Sequence, residues 1–195
     1  MATLWWPGSW KKLDLASRID PYGLLMDLAH KVAKAQKTRV LKGRFWRCLP
    51  ESYAHTALES GPSFTQERRY SVRGEFGALY FSSSEDLAQT EAGRRIGDHG
   101  EPIVCLEFEV SLDKILDLTQ EAVRKALGVR LAELVKKPLA TDAYGVPQAI
   151  GRASFVGGIS GLMVPSVHDP DTSREWFNLV LYPGNLVRSH IKQIY

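Results

Sequence analysis

Strand-like and helix-like stretches follow one another along this chain without regular alternation, and that most narrows the folds open to it. Short apolar runs rich in β-branched and aromatic residues stand at 42–49, 78–82, 102–110, 161–164 and 176–182 and read as strands. Helical spacing appears at 21–35, where Leu24, Leu25, Leu28, Ala29 and Val32 recur after an Asp20-Pro21 start. Further helices are expected at 84–96, at 119–137 with a break near Gly128 and an end at Pro138, and at 145–153. Gly61-Pro62-Ser63 reads as a loop. A doubly wound sheet would need strand and helix in strict turn, and neither a G-x-G-x-x-G nor a Walker pattern occurs, so the order predicts an α+β domain. With 195 residues and 44% apolar content, the chain can bury one ordinary core but hardly two. The division expected is a helical N-terminal extension, residues 1–40, packed on one domain, residues 41–195.

The net charge of +3 is small. There is no dense basic stripe, no helix-turn-helix, no aromatic-interleaved basic strand and no acidic metal cluster, so no direct contact with nucleic acid is expected. His30, His55, His99, His168 and His190 lack metal-ligand spacing to one another or to cysteine, so no metal site is expected. His168 reads as a surface-loop residue. Cys48 and Cys105 sit in apolar, strand-like contexts outside any Cys-x-x-Cys pair and read as small buried hydrophobes in a reducing compartment. The N-terminus has aromatics but no signal-peptide pattern, and no stretch has transmembrane length, so a cytoplasmic location is the expectation. Trp5, Trp6 and Trp10 either pack on the domain's own core or form a surface for a partner or a second copy, a homodimer.

Four motifs carry chemistry: Trp46-Arg47; Arg68-Arg69-Tyr70 followed by Gly74 to Tyr80; Asp86 to Glu91; and Gly161-Leu162-Met163-Val164-Pro165-Ser166. Tyr80 falls 11 residues after Arg69, and Glu91 falls 11 after Tyr80. In order and spacing these motifs resemble the RES domain, a bacterial family named for an arginine, a glutamate and a serine. The resemblance runs from about Gly43 to Leu186. Three places depart from the family's pattern: Glu67-Arg68 stands for Gly-Gly, Ser71 for Asn or Asp, and Val167-His168 where an arginine is common.

The resemblance implies a fold similar to ADP-ribosyltransferases, with mixed sheets and an NAD+ cleft between two small sheet halves. It implies a toxin that consumes NAD+ as substrate by cleaving the nicotinamide–ribose bond, as glycohydrolase or phosphorolase. Protein ADP-ribosylation and inactive nucleotide binding are the alternatives. It further implies a cognate antitoxin, often of a helix-turn-helix (Xre) type. Glu91, Arg69 and Tyr80 are then the catalytic candidates, and Arg47 and Ser166 the NAD+-binding ones. The residue types suit these roles. Arginine grips phosphate through a planar fork of donors. A carboxylate can stabilise the positive charge that builds on the ribose, as in glycosidases. Tyrosine can stack on nicotinamide, and serine can hydrogen-bond the ribose or the amide. Arg44 and Arg73 compete for the two arginine roles.

Overall fold

A computed structural model describes residues 27–32, 34, 40–96, 101–136, 144–168, 176–186 and 190–194. The start of the first expected helix, the three early tryptophans and Pro138 lie outside these residues; 27–32 are helical. The longest strands are β1 (Leu41–Pro50) and β3 (Ile103–Leu112), paired antiparallel over ten positions from Leu41↔Leu112 to Pro50↔Ile103. β2 (Leu79–Ser82), β5 (Gly161–Pro165) and β6 (Phe177–Leu181) fall where the sequence places strands. Two three-residue strands, β4 (Ile115–Asp117) and β7 (Ile191–Gln193), are additions that the sequence pattern did not reveal. The sheet order is β4-β5-β6-β2-β1-β3-β7. Among the described residues only β4 and β5 run parallel, so the sheet is mixed and the domain is α+β.

The sheet is continuous in name only. β1 and β2 share a single register pair, Trp46↔Ser82. One half is therefore β1-β3-β7 and the other β4-β5-β6-β2, and the two diverge beyond that pair.

Alternation along the strands distributes side chains to two cores. Leu162, Val164 and Val180 join Tyr70, Ile150, Ala153 and Tyr182 in one cluster. Leu79, Phe81, Leu179 and Leu181 join Phe45, Phe108 and Val110 in the other. Each buried Leu, Ile, Val or Phe side chain here stabilises the fold by roughly 1.5–3 kcal/mol through removal from water.

The helices are α1 (Gly61–Thr65), α2 (Glu85–Ile96), α3 (Glu121–Leu127), α4 (Leu131–Val135) and α5 (Val146–Val156). α1 corrects the loop expected at Gly61-Pro62-Ser63. Pro62 presets the first-turn φ, and the Ser63 hydroxyl donates to the Ser60 carbonyl at 2.9 Å. Gly128 separates α3 from α4 with φ 72°, the left-handed cap that glycine adopts without a Cβ penalty. Gly151 of α5 has a different reason: a Cβ there would stand 2.3 Å from the Tyr70 carbonyl oxygen.

The cysteines are a second correction. They are half-buried rather than core residues, and the structure joins Cys48 to Cys105 in a disulfide. The strand register explains the pairing, because Cys48 and Cys105 stand directly opposite each other on β1 and β3.

Candidate active site

Where β1 and β2 part, a cavity of about 980 Å³ opens. Its walls include Arg47 to Pro50 from β1, Tyr80 to Ser82 from β2, Arg68, Arg69 and Tyr70 from the loop before β2, Glu91 from α2, Tyr144, and Asn178 from β6. The volume lies at the upper end for small-ligand and cofactor sites. Four of the five sequence candidates, Arg47, Arg69, Tyr80 and Glu91, meet here.

Arg47 follows from the β1 alternation, which sends Phe45, Arg47 and Leu49 to the same side. Its Nη1 donates to the Ala57 carbonyl at 2.6 Å, and its guanidinium lies 6.0 Å from the Phe81 ring centre. Burial, aided by the nearby positive charge of Arg68, lowers its pKa from the ordinary guanidinium range to about 10. Two guanidinium groups that destabilise each other's charge beside a cavity make a favourable place for an anion.

Arg69 is held differently. Its Nη1 donates to the carbonyls of Leu134 (2.8 Å) and Lys136 (2.9 Å), at the end of α4. The guanidinium sits 5.0 Å from the Tyr144 ring centre. Tyr80 Oη accepts the Tyr70 N–H at 3.2 Å and lies 3.4 Å from Ser71 Oγ. Arg44 and Arg73 are exposed, Arg44 pairs with Glu107 at 3.3 Å, and neither lines the cavity.

Glu91 is half-buried, and both of its carboxylate oxygens have neighbours. Asn178 Nδ2 donates to Oε1 at 3.0 Å. His168 Nε2 stands 3.5 Å from Oε2. The His168 side chain is only 8% exposed, which corrects its reading as a surface-loop residue.

Ser166 is placed otherwise than the other four candidates. It is fully buried, and its neighbours Pro165 and Val167, not Ser166 itself, line the cavity. Its Oγ accepts the His168 backbone N–H at 3.1 Å. The three departures from the expected motifs also have positions of their own. Glu67 accepts a hydrogen bond from Gln148, Ser71 is fully buried beside Tyr80, and His168 faces Glu91.

Asn178, Ser82 and Tyr144 were missed by the sequence reading, since nothing local marks them. Among the described residues, no group of three or more His, Cys, Asp or Glu side chains could hold a metal ion. No described helix is long and apolar enough to cross a membrane.

The split mixed sheet with arginines and a held carboxylate at the split defines a class: a single α+β domain with a cleft suited to an anionic ligand. The chain belongs to the RES domain family, whose family model matches residues 44–194. Among solved structures, it is similar to a chain of the M. tuberculosis MbcT–MbcA toxin–antitoxin complex. That likeness has a TM-score of 0.69 at 17% identity, over 86% of this chain and 89% of the other, and it bears on the fold. No curated protein sequence matches the chain.

Proposed function

We propose that this protein is an NAD+-consuming toxin that cleaves the nicotinamide–ribose bond. The observation that carries the reading is the Glu91 carboxylate held in the same cavity that Arg47, Arg68 and Arg69 line. The arginines suit the pyrophosphate of a dinucleotide. Glu91 suits the positive charge that develops on the ribose as its bond to nicotinamide breaks. Tyr80, whose hydroxyl is tied back to Tyr70, offers its ring to the nicotinamide.

In the reaction, the bond from ribose C1′ to the pyridinium nitrogen breaks, and its electron pair stays on the nitrogen to give neutral nicotinamide. An oxygen of water or of inorganic phosphate bonds to C1′; with water, one proton is released. Membership of the RES family supports a toxin role. The similar solved structure is that of a toxin–antitoxin complex, which supports a cognate antitoxin protein as partner.

The test is incubation of the purified protein with NAD+, with and without phosphate, while released nicotinamide and the ADP-ribosyl product are followed by mass spectrometry. Release by wild type with at least a ~1,000-fold loss in Glu91→Ala, at unchanged melting temperature, is the expected result. ADP-ribose identifies hydrolysis, a phosphorylated ADP-ribose phosphorolysis, and a modified protein ADP-ribosyl transfer. Binding of NAD+ without nicotinamide release would overturn the enzyme reading in favour of a binding module.

A further inference from the structure

Every candidate so far comes from a short sequence motif, yet the contacts that orient Glu91 come from residues far along the chain. Asn178 lies on β6 directly opposite Ser82 of β2. Ser82 Oγ donates to Asn178 Oδ1 at 3.0 Å, which fixes the amide so that its Nδ2 points the other way. That Nδ2 donates to Glu91 Oε1 at 3.0 Å.

The second oxygen has an equally organised neighbour. His168 sits just after β5, where its backbone N–H is tied to Ser166 Oγ at 3.1 Å. Ser166 is itself anchored, its N–H donating to the Trp176 carbonyl at 3.3 Å. The imidazole Nε2 stands 3.5 Å from Glu91 Oε2, on a residue whose backbone is tethered to Ser166.

We infer that Asn178 and His168 are positioning residues that clamp the two oxygens of Glu91, with Ser82 and buried Ser166 as their anchors. The inference deepens the proposed function and rests on it for its kinetic consequence. It gives the fully buried Ser166 a role that does not require contact with substrate. A carboxylate fixed through both oxygens presents its charge in one orientation and needs no reorganisation as positive charge builds on the ribose. Loss of either contact removes a constraint on one carboxylate oxygen, and misplacement of a reacting group by about 1 Å can cost ~100-fold in rate.

The test uses single-residue variants of the full chain. Asn178→Asp keeps the oxygen that accepts from Ser82 but puts a carboxylate against Glu91. His168→Ala removes the second contact, and His168→Gln restores a donor. In the NAD+ assay, Asn178→Asp and His168→Ala should lose on the order of 10- to 100-fold in kcat with KM changed less than about threefold, and His168→Gln should recover part of the loss. Melting temperatures separate these effects from unfolding.

An activity-free measurement is the side-chain amide signal of Asn178 in 1H–15N spectra of wild type and Glu91→Gln. The expected result is a shift of that signal when its anionic acceptor is lost. An unchanged signal overturns the clamp whatever the activity. Wild-type kcat in Asn178→Asp and His168→Ala, alongside an inactive Glu91→Ala, overturns the positioning role while leaving the proposed reaction standing. Absence of turnover in wild type with a shifted amide signal overturns the reaction and leaves the clamp as geometry.

Discussion

The two halves of the sheet are built in opposite ways. The β1-β3-β7 half rests on one long antiparallel pair, ten positions in register and crossed by a disulfide. The β4-β5-β6-β2 half is assembled from four short strands, one pair of them parallel, that come from well-separated parts of the chain. The stapled half supplies Arg47, one of the three arginines that line the cavity, while Arg68 and Arg69 lie in the loop that leads into β2. The assembled half supplies Tyr80 and Asn178, with Glu91 and His168 on segments that follow its strands. The contrast teaches that a binding charge can sit on one strand of a long, cross-linked pair, whereas an oriented carboxylate needs neighbours gathered from several short strands.

The strongest challenge to that contrast is to cut the link between the halves. Phe81 of β2 is 1% exposed and packs edge-to-face on Phe108 of β3, ring centres 5.1 Å apart. Phe81→Ala is expected to cost about 3–5 kcal/mol in denaturant unfolding, and a loss below about 1 kcal/mol would show that the halves hold together without it. Opening the staple comes next. Cys105→Ser removes a cross-link that spans 57 residues and should cost about 2–4 kcal/mol, chiefly through the unfolded chain. Equal stability of wild type with and without reductant would erase this difference between the halves.

A smaller effect tests the loop between them. In Gly151→Ala the new Cβ meets the Tyr70 carbonyl 2.3 Å away, so α5 or the Arg68–Tyr70 segment must move. The expected cost is about 1–3 kcal/mol by chemical denaturation, with weaker NAD+ binding because Arg69 shifts.

The smallest effect is in alkaline pH. Arg47 in the stapled half has its pKa lowered to about 10 in the fold, so from there up to the ordinary guanidinium range the unfolded chain binds more protons, and this group stabilises the fold as pH rises. Tyr70 and Tyr182 are raised above 10, both chiefly by burial. The unfolded chain therefore loses their protons first, and they destabilise the fold over the same window. Two tyrosines against one arginine predict a net loss of stability above pH 10. Arg47→Met should make that loss steeper in denaturation curves taken at pH 9 and 11; a shallower one would contradict the burial of the Arg47 charge.

The legible part of the fold was what short-range pattern encodes. β-branched and aromatic runs marked β1, β2, β3, β5 and β6, and the Gly128 break separated α3 from α4. Strands β4 and β7 hid because three residues carry no period, and Ile115-Leu116 becomes a strand only beside Gly161-Leu162. The disulfide hid for the same reason, since 57 residues of spacing say nothing until β1 and β3 are in register. Motif order was enough to single out Arg47, Arg69, Tyr80 and Glu91, which line one cavity. Asn178 and His168 were not, because their meaning lies in a carboxylate some eighty residues earlier.

The single joint between β1 and β2 also has a consequence in time. β2 is bonded along its length to β6, so Tyr80 and Ser82 acquire their partners Val180 and Asn178 only after nearly the whole chain exists. Contacts of such long sequence separation form slowly and late. The β1-β3 ribbon can close while synthesis continues, but the carboxylate cannot be gripped until β6 emerges. A ribosome-bound chain cut short of residue 178 would hold the arginine wall without the clamp.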